Sequence, residues 1–208
     1  MAALAAGLLA GGCADGAAAA RVGDATVSDS DLMDEVTAIY GNETLWASAD
    51  AESGQPEGTA RAALRGEAEG SFAQQFVAGV LQQRVTFMLV EKLFDDEVGE
   101  LTDDFEAAAE QELERQFQGA FAEFPKSYRD QQVEDYGQLI GVQSSLGQEG
   151  FNEAIQELIE ETDIEVSSRY GTWDAETFRT SADQLAVVPP SGPAPGPSTA
   201  DADADAGL

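Results

Sequence analysis

The stretch from Phe72 to Val98, FAQQFVAGVLQQRVTFMLVEKLFDDEV, constrains the fold more than any other part of the chain. Phe72, Phe76, Val80, Phe87, Leu93 and Phe94, with their apolar neighbours, mark a long helix buried over most of its girth. Such a helix has to be wrapped by other segments, because one solvent-facing stripe would leave too much apolar surface in water. Ser71 and Gln74 open it with a capping-box spacing, and Gly99 stands where it can stop.

The segments that wrap it are legible from the same signals. Ser28 is a good N-cap with Asp31 three residues on, and Leu32, Met33, Val36, Ile39 and Tyr40 follow at helical spacing. Gly41 and Asn42 should end that helix. From Ala47 to Gly70 large apolar residues are few, so a loop is expected, with a helical turn around Ala60 to Leu64. Thr102 caps a third helix, with Asp103 and Asp104 at the positive end of its dipole and Phe105, Ala109, Leu113, Phe117 and Phe121 as its stripe. Pro125 breaks that pattern and belongs to the first turn of a fourth helix carrying Tyr128, Val133, Tyr136, Leu139, Ile140 and Leu146. Gly147 and Gly150 punctuate before a fifth helix, with Phe151, Ile155, Leu158 and Ile159 on one face.

The two ends of this helical body read differently. Val22, Ala25 and Val27 flank Gly23 and Asp24, a short extended segment with a tight turn. After Thr162, Ile164, Val166, Tyr170 and Trp173 suggest a strand returning beside it, with Trp173 pinning the returning segment to the core. The expected fold is mainly α: five helices and a small two-stranded β patch made by the N- and C-terminal ends of one domain over residues 21–178. Residues 179–208 hold five of the seven prolines from Val188 onward and no aromatic residue. They cannot bury enough apolar area to offset chain entropy, so a disordered Pro- and Asp-rich tail is expected.

The front of the chain contains the only cysteine, Cys13, directly behind the Ala-, Leu- and Gly-rich run of residues 2–12. That run is too short for a bilayer span, which takes about 20 residues. Its length suits the h-region of a secretion signal, which assigns residues 1–12 to a signal peptide and 13–20 to a tether. Gly11, Gly12 and Cys13 resemble a bacterial lipobox, with Leu9 four places before the cysteine and Ala10 in the usual leucine position. The resemblance implies that Cys13 is lipidated and holds the protein at the outer face of the cytoplasmic membrane. A single acyl chain gives only marginal binding, so a multiply acylated cysteine is required.

Charge and composition restrict what such a body can do. Forty Asp and Glu against 10 Lys and Arg give a formal net charge of -30, which repels nucleic-acid phosphates and argues against DNA or RNA as a partner. There is no histidine, so the Ser-His-Asp triad, the Cys-His pair and His-ligated haem are excluded. One cysteine excludes a disulfide framework and a zinc site of several Cys and His. The alternating Asp of DADADAGL lacks the Gly at position six and Glu at position twelve of a calcium-binding EF-hand loop. No metal and no cofactor is expected, and the expectation is a protein that is not an enzyme.

The order of the pieces resembles a known family. A lipobox, then VGDATVSDSDL, then VLQQRVTFMLVEKLFDDEVGELTDDF, looks like the N-terminal domain of SurA-like and PrsA-like extracytoplasmic foldases, shared in part with the peptide-binding arm of trigger factor. The ending RYGTWD is similar to that of actinobacterial lipoprotein members, with Ser168 where a proline usually precedes the arginine. The resemblance covers about Val22 to Asp174. It implies chaperone-like binding of unfolded or exported polypeptides, often beside a parvulin-type peptidyl-prolyl isomerase domain. A further domain would need about 100 residues, which the tail does not provide, and the family's isomerase site uses histidines. The alternatives are an isomerase-related protein without its catalytic domain and a dedicated envelope docking protein.

Candidate peptide-binding residues are Phe117, Phe121, Phe124, Tyr128 and Tyr136 around the third and fourth helices, with Met33, Phe87 and Met88 added because methionine suits promiscuous surfaces. The same spacing also serves ordinary core packing. A client site needs an exposed apolar patch of more than a few hundred Å2.

Overall fold

A computed structural model describes residues 17–174 and 179–181. Strands β1 (Ala18–Val22) and β2 (Ala25–Ser28) form a hairpin around Gly23 and Asp24, with Gly23 at φ +58°. Six helices follow: α1 (Asp29–Gly41), α2 (Glu43–Ser53), α3 (Thr59–Ala62), α4 (Gln74–Glu97), α5 (Asp103–Phe117) and α6 (Lys126–Glu161), with a 3-10 turn at Phe121–Glu123 before α6. Strand β3 (Ile164–Val166) then returns antiparallel to β1, giving the order β2-β1-β3. Strands β4 (Thr172–Asp174) and β5 (Arg179–Ser181) make a separate antiparallel pair.

The fold is mainly α, and α4 is its axis. Its buried positions run from Val77 to Phe94 and meet α1, β1 and α6. One core joins Leu32 and Val36 of α1, Leu81, Val85 and Leu89 of α4 and Val22 of β1. A second gathers Leu113, Phe121, Phe124 and Tyr128, and a third gathers Leu93, Phe94 and Val142. Trp173 is half-buried and packs on the first core.

Several expected caps are present. The Ser28 hydroxyl accepts from Asp31 N, and Thr102 Oγ1 accepts from Phe105 N. Gly99 ends α4 at φ +77°, its N–H donating to the Phe94 carbonyl. Gly147, at φ +70° and ψ 172°, breaks α6 into arms 126–146 and 148–161, the fourth and fifth helices of the sequence reading.

Other expectations are corrected. The five expected helices correspond to α1, α4, α5 and the two arms of α6; the count of six comes from α2, which forms where no helix was expected, and from α3, at the expected helical turn. Asn42 Oδ1 accepts from Leu45 N at 2.9 Å to start α2, and Gly54 at φ +65° ends it. Inside it, the buried Asp50 carboxylate accepts from Gly58 N at 2.6 Å and Ala60 N at 2.7 Å, tying down the chain that follows. The β patch has three strands rather than two, because β1 is paired along both edges. Ala18–Ala20, read as tether, belong to β1, and Ala19 and Ala20 are buried because their small side chains lie against the core. Ser71 does not cap α4: its hydroxyl donates to the Ala68 carbonyl at 2.6 Å, and Ala73 takes the cap position. Phe121 lies beyond α5, because Gln118 at φ 48° and Gly119 at φ +89° turn the chain first. Strand β5 extends paired structure past residue 178, into the segment read as tail. The signal peptide, Cys13 and the tail from 182 to 208 lie outside the described residues.

Candidate functional site

Helix α1 carries Asp31, Asp34, Glu35 and Ala38 at spacings of three and four, so they share one face. Leu32, Val36 and Ile39 turn the neighbouring face to the core. Across from the acidic face run the 3-10 turn and the first turns of α6. Between them lies a cleft of about 590 Å3. Its apolar surface comes from Ala38, Pro125 and the Tyr128 ring, and its carboxylates are Asp31, Asp34, Glu35 and Glu123.

Behind the cleft sits a buried charge cluster that joins three helices. Arg84 of α4 places Nε 2.8 Å from Glu35 Oε1 of α1 and Nη2 2.9 Å from Asp135 Oδ2 of α6. Arg84 Nη1 also donates to Asp135 Oδ1 at 3.2 Å, with hydrogen-bond geometry; the two shorter contacts are ion pairs whose angles fall outside it. In the amide orientation that satisfies its hydrogen bonding, Gln131 Oε1 accepts from Arg84 Nη2 at 2.7 Å and Nη1 at 3.0 Å. Arg84, Glu35 and Asp135 are each 8% exposed. One guanidinium thus faces two carboxylates out of water. Burial pushes the Glu35 carboxyl above its usual range; Arg84 opposes the shift and Asp135 adds to it. Burial likewise raises Asp135 from 3.8 to about 6, with Arg84 opposing.

Tyr128 links the cluster to the cleft. It is 6% exposed, its ring packs 4.7 Å from that of Phe124, and it borders the cleft. Burial and the Glu35 charge push its hydroxyl up. Glu35 is held by Arg84, so it acts as a fixed charge at the cleft wall rather than as a free proton donor.

The candidate peptide-binding residues are dispersed. Only Tyr128 borders the cleft. Phe121 and Phe124 are buried with Phe117 half-buried beside them, their rings 5.3 to 6.4 Å apart. Phe87 and Met88 are buried along α4, and Met33 is half-buried against the first core. Tyr136 is half-buried, 5.4 Å from the Phe87 ring, and its hydroxyl donates to Gln116 Oε1 at 3.1 Å. These side chains pack the interior because α4, α5 and α6 close over them.

Apart from Tyr128, the functional roles of the residues that build the cleft and its cluster escaped the sequence reading, although a signal existed. Glu35 stands three residues after Leu32 and four before Ile39. Arg84 stands three after Leu81 and four before Met88, and Asp135 stands seven from both Tyr128 and Val142. Three charges on apolar stripes are the mark of a buried network. Among the described residues no group of three or more Asp, Glu or Cys is placed to hold a metal ion, and no helix is long and apolar enough to cross a membrane. In comparison with known proteins, no family model, no curated protein and no solved structure matches the chain.

Proposed function

We propose that the protein is a chaperone-like binder of unfolded or exported polypeptides, held by a lipid on Cys13 at the outer face of the cytoplasmic membrane, and that it works without catalysis. The observation that carries the reading is the cleft between α1 and the start of α6, where the Tyr128 ring, Pro125 and Ala38 offer apolar contact between walls of carboxylate. The cleft is mixed and its apolar surface is smaller than the few hundred Å2 expected of a client site, so contacts with an extended chain are short-lived rather than tight. The surrounding negative charge keeps a bound client soluble. The order of segments that resembles SurA-like N-terminal domains adds to the reading, and the absence of histidine removes the usual proton carrier of an enzyme.

The test is aggregation of several unrelated, chemically denatured clients followed by light scattering. Suppression of more than one client at near-stoichiometric ratios is expected, with no change in the slow phase of a proline-limited refolding reaction. Protection of none, with capture of one folded partner, replaces this reading with a dedicated docking protein. Faster proline-limited refolding replaces it with an isomerase.

A further inference from the structure

The two arms of α6 are held by different means. Arm 126–146 opens with the Lys126–Asp130 pair, is tied to Arg84 through Gln131 and Asp135, and buries Tyr128, Gly141 and Val142. Arm 148–161 has one buried residue, Ile159, while Phe151, Ala154, Ile155 and Leu158 are half-buried against Leu93, Phe94 and Val142. The joint between the arms is Gly147, whose φ of +70° and ψ of 172° lie where L side chains rarely go. A Cβ there would meet nothing within 4 Å, so the bend comes from the backbone and not from crowding. Electrostatics works against the second arm. Glu149, Glu153, Glu157 and Glu161 follow at spacings of four, so they stack along one face as like-charge pairs. Glu160 joins Glu161 in the last turn, at the negative end of the helix dipole. The arm has no Lys or Arg, its five carboxylates are exposed, and among the described residues none of them forms an ion pair. The end of α4 on which the arm packs contains Asp95, Asp96 and Glu97, with no basic residue in its last turn. Apolar contact holds the arm down against this repulsion, and its far end is fixed by the pairing of β3 with β1.

We infer that residues 148–161 are a strap controlled by ionic strength. Salt screens the carboxylates and lets the strap lie on Leu93, Phe94 and Val142; in dilute buffer it opens between Gly147 and β3 and uncovers them. Screening acts at the right distance. Side chains four apart on a helix are about 5–6 Å from each other, and the Debye length falls from about 30 Å at 0.01 M salt to about 3 Å at 1 M. A segment with few buried contacts can open without unfolding the rest. The inference stands independently of the polypeptide-binding reading.

The test is hydrogen–deuterium exchange of the full chain at about 0.01 M and about 1 M NaCl, read by mass spectrometry on peptides from each arm. Rates are divided by those of the denatured chain, which removes the effect of salt on the exchange chemistry. Exchange in 148–161 is expected to be about tenfold slower at high salt, while that in 126–146 changes by about twofold or less. Glu153→Lys, at an exposed position, turns the repulsion from Glu149 and Glu157 into attraction. It should slow low-salt exchange in 148–161 to near the high-salt rate of the unsubstituted chain, and Glu153→Gln should give an intermediate rate. An equal response of the two arms would assign the salt effect to the net charge of the whole chain and overturn the strap. Low-salt exchange in 148–161 that Glu153→Lys leaves unchanged would overturn it as well.

Discussion

Asn42 Nδ2 donates a 2.8 Å hydrogen bond to the carbonyl oxygen of Ala120, 78 residues further along the chain. The other end of the same buried amide, Oδ1, accepts from Leu45 N to start α2. One side chain therefore fixes the corner between α1 and α2 and ties it to the turn that carries Glu123, so it holds the two walls of the cleft together. Asn42→Asp keeps the acceptor that caps α2 but loses the donor, setting a carboxylate oxygen against the Ala120 carbonyl. The expected loss is about 1–3 kcal/mol in urea unfolding. Faster amide exchange across residues 118–124 should accompany it. An unchanged midpoint would mean that the amide bridge contributes nothing.

Removing the cation of the buried cluster should cost more. Arg84→Met leaves Glu35 and Asp135 facing each other without a counter-charge, and breaking a buried ion pair in this way costs about 3–5 kcal/mol. The loss should be largest near pH 7.5 and smaller near pH 5, where a proton replaces the missing guanidinium. Urea denaturation at both pH values checks the direction. An equal loss at both would place its origin in lost packing.

Asp135 gives the wild-type chain its own pH dependence. Its carboxyl titrates near 6 in the folded protein against 3.8 ordinarily, so between those values the folded state keeps a proton that the unfolded state has released. Stability therefore falls as pH rises through this window, by on the order of 3 kcal/mol, and levels off above it. Glu35, also raised by burial, acts in the same direction. The melting temperature should be higher at pH 5 than at pH 7.5. Asp135→Asn should flatten that slope while leaving the salt stabilisation that a net charge of -30 produces.

Two glycines of α6 should respond oppositely to alanine. A Cβ on Gly141 would lie 2.8 Å from Phe94 Cε2, a ring that is 3% exposed and has no room to move. A Cβ on Gly137 would lie 2.9 Å from Leu101 Cδ1, the end of a half-buried side chain that can rotate away. Gly141→Ala is expected to lose about 1–3 kcal/mol through overpacking. Gly137→Ala should be neutral or gain up to about 1 kcal/mol from helix propensity. Equal thermal shifts for the two would contradict the close approach of α4 and α6 at Gly141.

Local signals made much of the fold legible. Ser28 and Thr102 hold the caps that their neighbours predict, Gly99 and Gly147 break helices where their left-handed backbone permits, and Ile164 with Val166 returns beside Val22 as the alternation suggests. Helix α2 was not legible, because its apolar content is low and its start depends on one asparagine. The aromatic residues proposed as a groove were read correctly as apolar, but periodicity cannot say which side of a helix another helix covers. The cleft was harder still, since its four carboxylates are part of a set of 40 and only their neighbours distinguish them.

The sequence by itself determined the helical segments of α1, α4, α5 and α6, the stops at Gly99 and Gly147, the β1–β2 turn and the acidic, histidine-free chemistry. Caps, apolar periodicity and glycine conformations act over a few residues, so the local chain contains all the information needed. The tertiary structure decided the burial of Ala19 and Ala20, the meeting of Arg84 with Glu35 and Asp135, and the opening beside Tyr128. Arg84 and Asp135 are 51 positions apart, and the energy of such a contact depends on how closely α4 and α6 approach and how completely they exclude water, which no short stretch of sequence specifies.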